Sequence, residues 1–132
     1  PYRLVQTDSR GRPYHGRPFR FWNRCMTASL AFVFPGQGSQ SVGMVADLAA
    51  RDTSVRATFD EASEGAGVDL WALSQQGPEE QLNQTEYTQP ALLAASVAAW
   101  RLWQAKGGAT PVALAGHSLG EYSALVAAGA LE

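Results

Sequence analysis

The residues best suited to chemistry lie in the segment Gly116-His117-Ser118-Leu119-Gly120, which matches the pattern G-x-S-x-G. The segment follows the apolar run Val112 to Ala115 and precedes a helical pattern, so it predicts a strand, a sharp turn at Ser118 and a helix. A serine on such a turn can act as a nucleophile, because the N–H of Leu119 can stabilise an oxyanion formed beside it. The alternative is that Ser118 only caps the helix behind a glycine-lined turn.

A second glycine loop, Pro35 to Gln40, follows the apolar run Leu30 to Phe34. It fails as a dinucleotide-binding fingerprint, because Ser41 stands where a third glycine is required, and it lacks the Gly-Lys-Ser/Thr end of a P-loop. If the two apolar runs form neighbouring strands, this loop lies at the same sheet edge as Ser118 and can supply a second oxyanion donor. A plain strand-to-helix turn is the alternative for this loop.

The elements that would position these loops alternate between strand and helix, which predicts an α/β fold with a parallel sheet. Helical spacing covers residues 42–49 and 54–64, and a long helix is expected from Pro90 to Lys106. A last helix is expected over 119–130, with Tyr122 facing inward. Two strands cannot by themselves make a covered parallel sheet, so we expect the sequence to be part of a larger domain.

Charge divides the chain into two parts. Residues 1–25 contain six arginines against Asp8, a balance of +5, whereas residues 26–132 carry a balance of −7. A transit peptide or a nucleic-acid-binding arm would also be basic, but this leader has no helical apolar stripe. We therefore expect residues 1–25 to be a leader that is disordered or not native, and residues 26–132, from Met26, to form the N-terminal part of a domain, with no nucleic-acid partner.

The remaining composition is that of a soluble globular protein. No apolar stretch approaches the roughly 18 residues that a membrane span needs, so no membrane association is expected. Cys25 is the single cysteine, which excludes an intrachain disulfide or a thiolate metal cluster and favours a reducing, cytoplasmic location.

Three motifs together resemble a known family. Phe32 to Met44 (FVFPGQGSQSVGM), Thr88 to Ala91 (TQPA) and Ala115 to Leu125 (AGHSLGEYSAL) are similar to the N-terminal signatures of malonyl-CoA:acyl carrier protein transacylases. The acyltransferase domains of fatty acid and polyketide synthases are similar but less close. The resemblance spans Leu30 to Glu132 and does not touch residues 1–25.

The resemblance implies that Ser118 takes malonyl from malonyl-CoA as an ester and passes it to the phosphopantetheine thiol of acyl carrier protein, in fatty acid biosynthesis. It also implies that the N–H groups of Gln37 and Leu119 form the oxyanion hole, and that Gln89 lies near the site. No permanently bound cofactor and no metal are implied. The family's general-base histidine and carboxylate-binding arginine are expected beyond Glu132, and the choice among malonyl, methylmalonyl and acetyl groups stays open.

Neither histidine of the chain is a good general base for Ser118. His117 belongs to the turn itself and His15 to the leader, so we expect the 132-residue chain to be inactive by itself. Arg101 and Lys106 are expected to be a solvated charge and a helix-end charge rather than a carboxylate clamp. Two other functions stay open: a serine hydrolase or esterase of α/β type, and a truncated remnant without catalysis.

Overall fold

The structure is a computed structural model that describes residues 29–131 of the chain. The basic leader, Cys25 and Met26 lie outside the described residues, so the predicted domain boundary stays a prediction. The described part contains, in order, β1 (Ala31–Phe34), α1 (Ala46–Ala49), α2 (Ser54–Ala66), α3 (Leu70–Gln76), α4 (Glu79–Leu82), α5 (Thr85–Ala105), β2 (Ala113–Gly116) and α6 (Gly120–Ala127).

The two strands form a parallel pair, as the sequence predicted. Residues 31–34 of β1 pair in register with residues 113–116 of β2. The ladder continues past the strand ends, where the N–H of His117 donates to the carbonyl of Phe34 at 3.1 Å. Because both strands run the same way, the loops that follow them leave from the same edge of the sheet.

The two faces of this sheet have different surroundings. On one face the ring of Phe32 packs edge-on against Trp100 and Trp103 of α5, with ring centroids 5.1 and 5.5 Å apart. On the other face Val33 is 72% exposed. Within residues 29–131, helices therefore cover the sheet from one side.

Helix α5 is the centre of the packing. It contacts α2, α3, α4 and α6, and nine of its 21 residues are buried. The largest cluster beside it contains Phe59, Leu70 and Leu82, all fully buried. Burial of each such side chain contributes about 1.5–3 kcal/mol relative to exposure, so α5 and its neighbours form the core on which the sheet rests.

The start of α5 differs from the prediction, because the helix begins at Thr85 and Pro90 lies inside it. Proline removes one backbone hydrogen bond, but tertiary contacts hold the preceding turn. The hydroxyl of Thr88 donates to the carbonyl of Leu82 at 2.5 Å, and both groups are buried. The predicted end is confirmed, since the chain leaves the helix through Gly107 at φ +72°.

Two other helix predictions were also wrong in part. Helix α1 covers only Ala46–Ala49, because the chain before it makes a turn with Val45 at φ +58°. Helix α6 covers Gly120–Ala127, and Tyr122 is 58% exposed rather than inward. The buried positions of α6 are Gly120 and Ser123, and at Gly120 the backbone of β1 leaves no room for a side chain.

An ion pair joins the end of α5 to the start of α2. The ammonium of Lys106 lies 2.7 Å from a carboxylate oxygen of Asp52. This bond, with those from Ser54, lowers the pKa of Asp52 to about 2. A carboxyl whose pKa is lower in the folded state stabilises the fold above its unfolded pKa of about 3.9, and that stabilisation is lost as the pH falls through about 2.

We therefore expect the stability difference between the wild type and Asp52→Asn to shrink as the pH falls from about 4 to about 2. Urea unfolding at several pH values measures that difference, and an NMR titration of the Asp52 carboxyl carbon gives its pKa directly. In Lys106→Met the pKa of Asp52 should rise towards its ordinary value. An unchanged Asp52 pKa in Lys106→Met would contradict the assigned cause.

Among residues 29–131, none of the helices combines the length and the apolar character that crossing a bilayer requires.

Candidate active site

Ser118 lies on the turn between β2 and α6, exposed to solvent. Its backbone has φ +53°, a left-handed conformation that costs a residue other than glycine about 1–2 kcal/mol. The turn is closed by the N–H of Gly120, which donates to the carbonyl of His117 at 2.9 Å, and by the N–H of Glu121, which donates to that of Ser118 at 3.0 Å. Strain of this kind at an exposed serine marks a candidate functional position.

Glycines on both sides of Ser118 allow backbone segments to approach closely. A Cβ on Gly116 would overlap the backbone of Gly120 and Glu121, and a Cβ on Gly120 would overlap the carbonyl oxygen of Phe34. The beginning of α6 is therefore pressed against the end of β1, and no side chain can be added at either glycine without moving backbone.

The glycine loop after β1, residues 35–41, lies against the Ser118 turn. A Cβ on Gly36 would be 2.7 Å from the carbonyl oxygen of His117 and 3.4 Å from the Cβ of Ser118. Gly36 is buried there. The structure thus brings the loop that carries Gln37 and the turn that carries Ser118 and Leu119 to one edge of the sheet.

Two backbone N–H groups at this edge are available to a ligand. Within residues 29–131, neither the N–H of Gln37 nor that of Leu119 donates to a backbone carbonyl. Leu119 also lies at the N-terminal end of α6, where the helix dipole favours negative charge. Gln37 and Leu119 therefore remain the predicted oxyanion donors.

Side-chain hydrogen bonds tie the glycine loop to the residues just before and at the start of α5. The side-chain amide of Gln37 donates to the hydroxyl of Thr85 at 3.0 Å, and that of Gln40 donates to the side-chain oxygen of Asn83 at 2.7 Å. The oxygen of the Gln40 amide accepts from the N–H of Gly38 at 2.8 Å. Sequence reasoning missed Asn83 and Thr85, because short polar residues before a helix predict only a helix cap.

Gln89 is exposed on α5, one helical turn after Thr85. In the part of the chain that the structure describes, the side-chain hydrogen bonds include none between Gln89 and either loop. Its place near Ser118 therefore remains a prediction.

A general base for Ser118 is not found among residues 29–131. His117 is the single histidine in that range, and the side-chain hydrogen bonds there include none that joins its ring to the Ser118 hydroxyl. The same described residues contain no group of three or more histidine, cysteine, aspartate or glutamate side chains that could hold a metal ion.

Arg101 is engaged elsewhere. Its guanidinium binds both carboxylate oxygens of Glu61, at 2.5 and 3.3 Å. This bond raises the pKa of Arg101 and lowers that of Glu61. Both side chains are about half exposed or more, so the pair contributes at most about 1 kcal/mol. Arg101 thus lies on a solvated face, as the sequence predicted, and also pairs with Glu61 across the α2–α5 contact.

The fold and the site define an α/β protein in which two parallel strands bring two glycine-containing loops together, with an exposed serine on one of them. Residues 31–132 match the sequence model of the acyl transferase domain family, and the chain therefore belongs to that family.

Proteins that are similar in sequence to this chain are named malonyl CoA-acyl carrier protein transacylases. The one from Salmonella typhimurium is 67% identical over 101 residues, which are 76% of this chain and 33% of the relative. The one from Bacillus subtilis strain 168 is 48% identical over 104 residues, 79% of this chain and 32% of the relative. The chain thus spans about a third of the length of these relatives.

Solved structures show the same fold. The malonyl-CoA:acyl carrier protein transacylase of Xanthomonas oryzae is 74% identical, with a TM-score of 0.75 over 76% of this chain and 32% of its own. A type II polyketide synthase acyl-carrier protein in complex with its malonyl-transacylase gives 68% identity and a TM-score of 0.76, over 77% of this chain and 33% of the neighbour. The predicted family and the α/β fold with a parallel sheet are confirmed.

Proposed function

We propose that this chain contributes the nucleophile and the oxyanion hole of a malonyl-CoA:acyl carrier protein transacylase, as its similarity to proteins of that name suggests. The observation that carries the proposal is the contact between Gly36 and the Ser118 turn. It sets a strained, exposed serine beside two backbone N–H groups that are free within the described residues.

In the first half-reaction the Oγ of Ser118 attacks the thioester carbonyl of malonyl-CoA. The tetrahedral oxyanion accepts hydrogen bonds from the N–H groups of Gln37 and Leu119, which point at the charge as it develops. The C–S bond then breaks, coenzyme A leaves as the thiol, and malonyl remains as an ester on Ser118.

In the second half-reaction the phosphopantetheine thiol of acyl carrier protein attacks the same ester. The same two N–H groups stabilise the second oxyanion, and the C–O bond breaks to regenerate the Ser118 hydroxyl. No permanently bound cofactor or metal takes part, because malonyl-CoA carries the activated acyl group itself. The carrier-protein thiol and the released coenzyme A thiol both have to stay reduced, which favours a reducing cytoplasm and agrees with a single cysteine in the sequence.

The proposed reaction also needs a base to take the Ser118 proton and a cation to pair with the malonate carboxylate. His117 and Arg101 are poorly placed for these roles, for the reasons given above. We infer that both groups come from residues outside the described range, and that Gln89 lines the site beside Ser118.

The direct test is mass spectrometry of the protein at its natural length after incubation with malonyl-CoA. We expect a malonyl ester on the peptide that contains Ser118, and transfer of the malonyl group when phosphopantetheinylated acyl carrier protein is added. The polypeptide of residues 1–132 should show no turnover, because a positioned base typically contributes about 10²–10⁴-fold.

Other outcomes would point to other functions. Rapid hydrolysis of a generic ester, with no transfer to the carrier protein, would favour the hypothesis of a serine hydrolase. Absence of any adduct at natural length would favour a remnant without catalysis. Turnover by residues 1–132 equal to that of the natural-length protein would make His117 the candidate base.

A further inference from the structure

We propose that Asn83 and Thr85 are positioning residues, which hold the glycine loop (residues 35–41) so that the N–H of Gln37 stays directed at the acyl group on Ser118. This inference rests on the proposed function. Asn83 and Thr85, called the anchor residues below, act through the loop and need not touch the substrate.

The first contact acts on the oxyanion donor itself. The side-chain amide of Gln37 donates to the hydroxyl of Thr85 at 3.0 Å. The side chain and the backbone N–H of Gln37 belong to one residue, so fixing the side chain restricts the rotation of the peptide that carries the N–H. Thr85 lies in the first turn of the 21-residue α5, which is a rigid support.

The second contact acts three residues further along the loop, at Gln40. One end of the Gln40 side chain donates to Asn83 at 2.7 Å, while its other end accepts from the N–H of Gly38 at 2.8 Å. Gly38 has φ +102°, a conformation open mainly to glycine. The Gln40 amide thus connects the peptide N–H of Gly38 to Asn83.

Besides the packing of Gly36 against the Ser118 turn, few contacts hold the loop. The loop is held at its start by β1 and beyond its end by the N–H of Gly43, which donates to the carbonyl of Ser74 at 2.8 Å. Between those points, within residues 29–131, no backbone group of the loop donates to or accepts from another helix or strand. Among the described residues, the anchor residues therefore supply the hydrogen bonds that position the middle of the loop, from Gln37 to Gln40.

Both anchor residues are exposed, so removing their hydrogen bonds should leave the protein folded. Complete loss of one oxyanion donor costs roughly 10²–10³ in kcat, which is the upper limit for freeing the loop. We expect about a tenfold loss of acylation rate in Thr85→Val and about a hundredfold loss in Asn83→Ala/Thr85→Val.

The experiment measures malonyl-ester formation on the natural-length protein, at saturating and subsaturating malonyl-CoA, with hydrogen exchange of the peptide spanning Gln37 to Gln40. The expected result is a lower rate at saturation with an unchanged half-saturating concentration, because the oxyanion donor acts mainly in the transition state. Hydrogen exchange of the loop should be faster in both variants than in the wild type. Thr85→Ser, which keeps the hydroxyl, should have the acylation rate and the loop exchange of the wild type.

The matched control is Thr53→Val, because Thr53 is exposed and its side chain makes no cap hydrogen bond. Equal acylation rates in Thr85→Val, Asn83→Ala/Thr85→Val and the control would overturn the inference. A wild type that forms no malonyl ester would overturn the proposed function instead. Hydrogen exchange of the loop would then test the anchor residues by itself. Unchanged exchange in Asn83→Ala/Thr85→Val would contradict their positioning role.

Discussion

Ser118→Ala is expected to abolish the malonyl ester and to reduce carrier-protein malonylation to background. Alanine removes the Oγ that forms the ester, and no other hydroxyl lies on the strained turn between β2 and α6. Loss of a nucleophile removes all covalent catalysis, so the expected fall in rate is about 10⁴-fold or more. Intact-mass spectrometry after incubation with malonyl-CoA measures it.

Stability separates this chemical effect from a folding effect. Alanine at φ +53° is as strained as serine, so Ser118→Ala should unfold near the wild-type midpoint. Ser118→Gly should be equally inactive but more stable, by up to about 1 kcal/mol, because glycine adopts positive φ without a Cβ clash. The control is Ser96→Ala on α5, which should retain acylation. An undiminished adduct in Ser118→Ala would place the nucleophile elsewhere.

Gly120→Ala is expected to reduce acylation by about 10²-fold while Ser118 itself stays in the sequence. The added Cβ would overlap the carbonyl oxygen of Phe34 and lie 2.9 Å from that of Pro35. These are backbone atoms that cannot rotate away, so α6 and the end of β1 must separate. A displacement of about 1 Å at a catalytic group can cost about 10²-fold in rate.

The matched control for this change is Gly65→Ala. Gly65 lies inside α2, is exposed, and has open space around the position of an added Cβ. Alanine there should stabilise the helix by about 0.5–1 kcal/mol and leave acylation unchanged. Circular dichroism checks that Gly120→Ala is folded before rates are compared. Wild-type activity in folded Gly120→Ala would show that the spacing of the two loops does not govern the reaction.

Local patterns predicted much of the arrangement around the site. The apolar runs before the two glycine loops are short and uninterrupted, as expected of strands in a parallel sheet, and they do pair in parallel. From that pairing it follows that Gln37 and Ser118 leave the sheet at one edge. The end of α5 was also predictable, since Gly107 takes the left-handed conformation that stops a helix.

Predictions failed where packing outweighed a local preference. Pro90 indicated a helix start, but Thr88 is buried and bonded to Leu82, and the helix begins five residues earlier, at Thr85. Tyr122 was expected inward together with Leu119 and Val126 of the same helix. Gly120 and Ser123 are buried instead, and at Gly120 the backbone of β1 is too close for any side chain.

The sequence by itself indicated the two strands, the turn at Ser118 and the family, because these depend on neighbouring residues and on motifs that can be read along the chain. Only the tertiary structure decided which residues support the glycine loop. Gln37 and Thr85 are 48 positions apart and Gln40 and Asn83 are 43 apart. Hydrogen bonds between polar side chains at such separations leave no periodic pattern, since they exist only after α5 has packed beneath the sheet and brought its first turn to the loop.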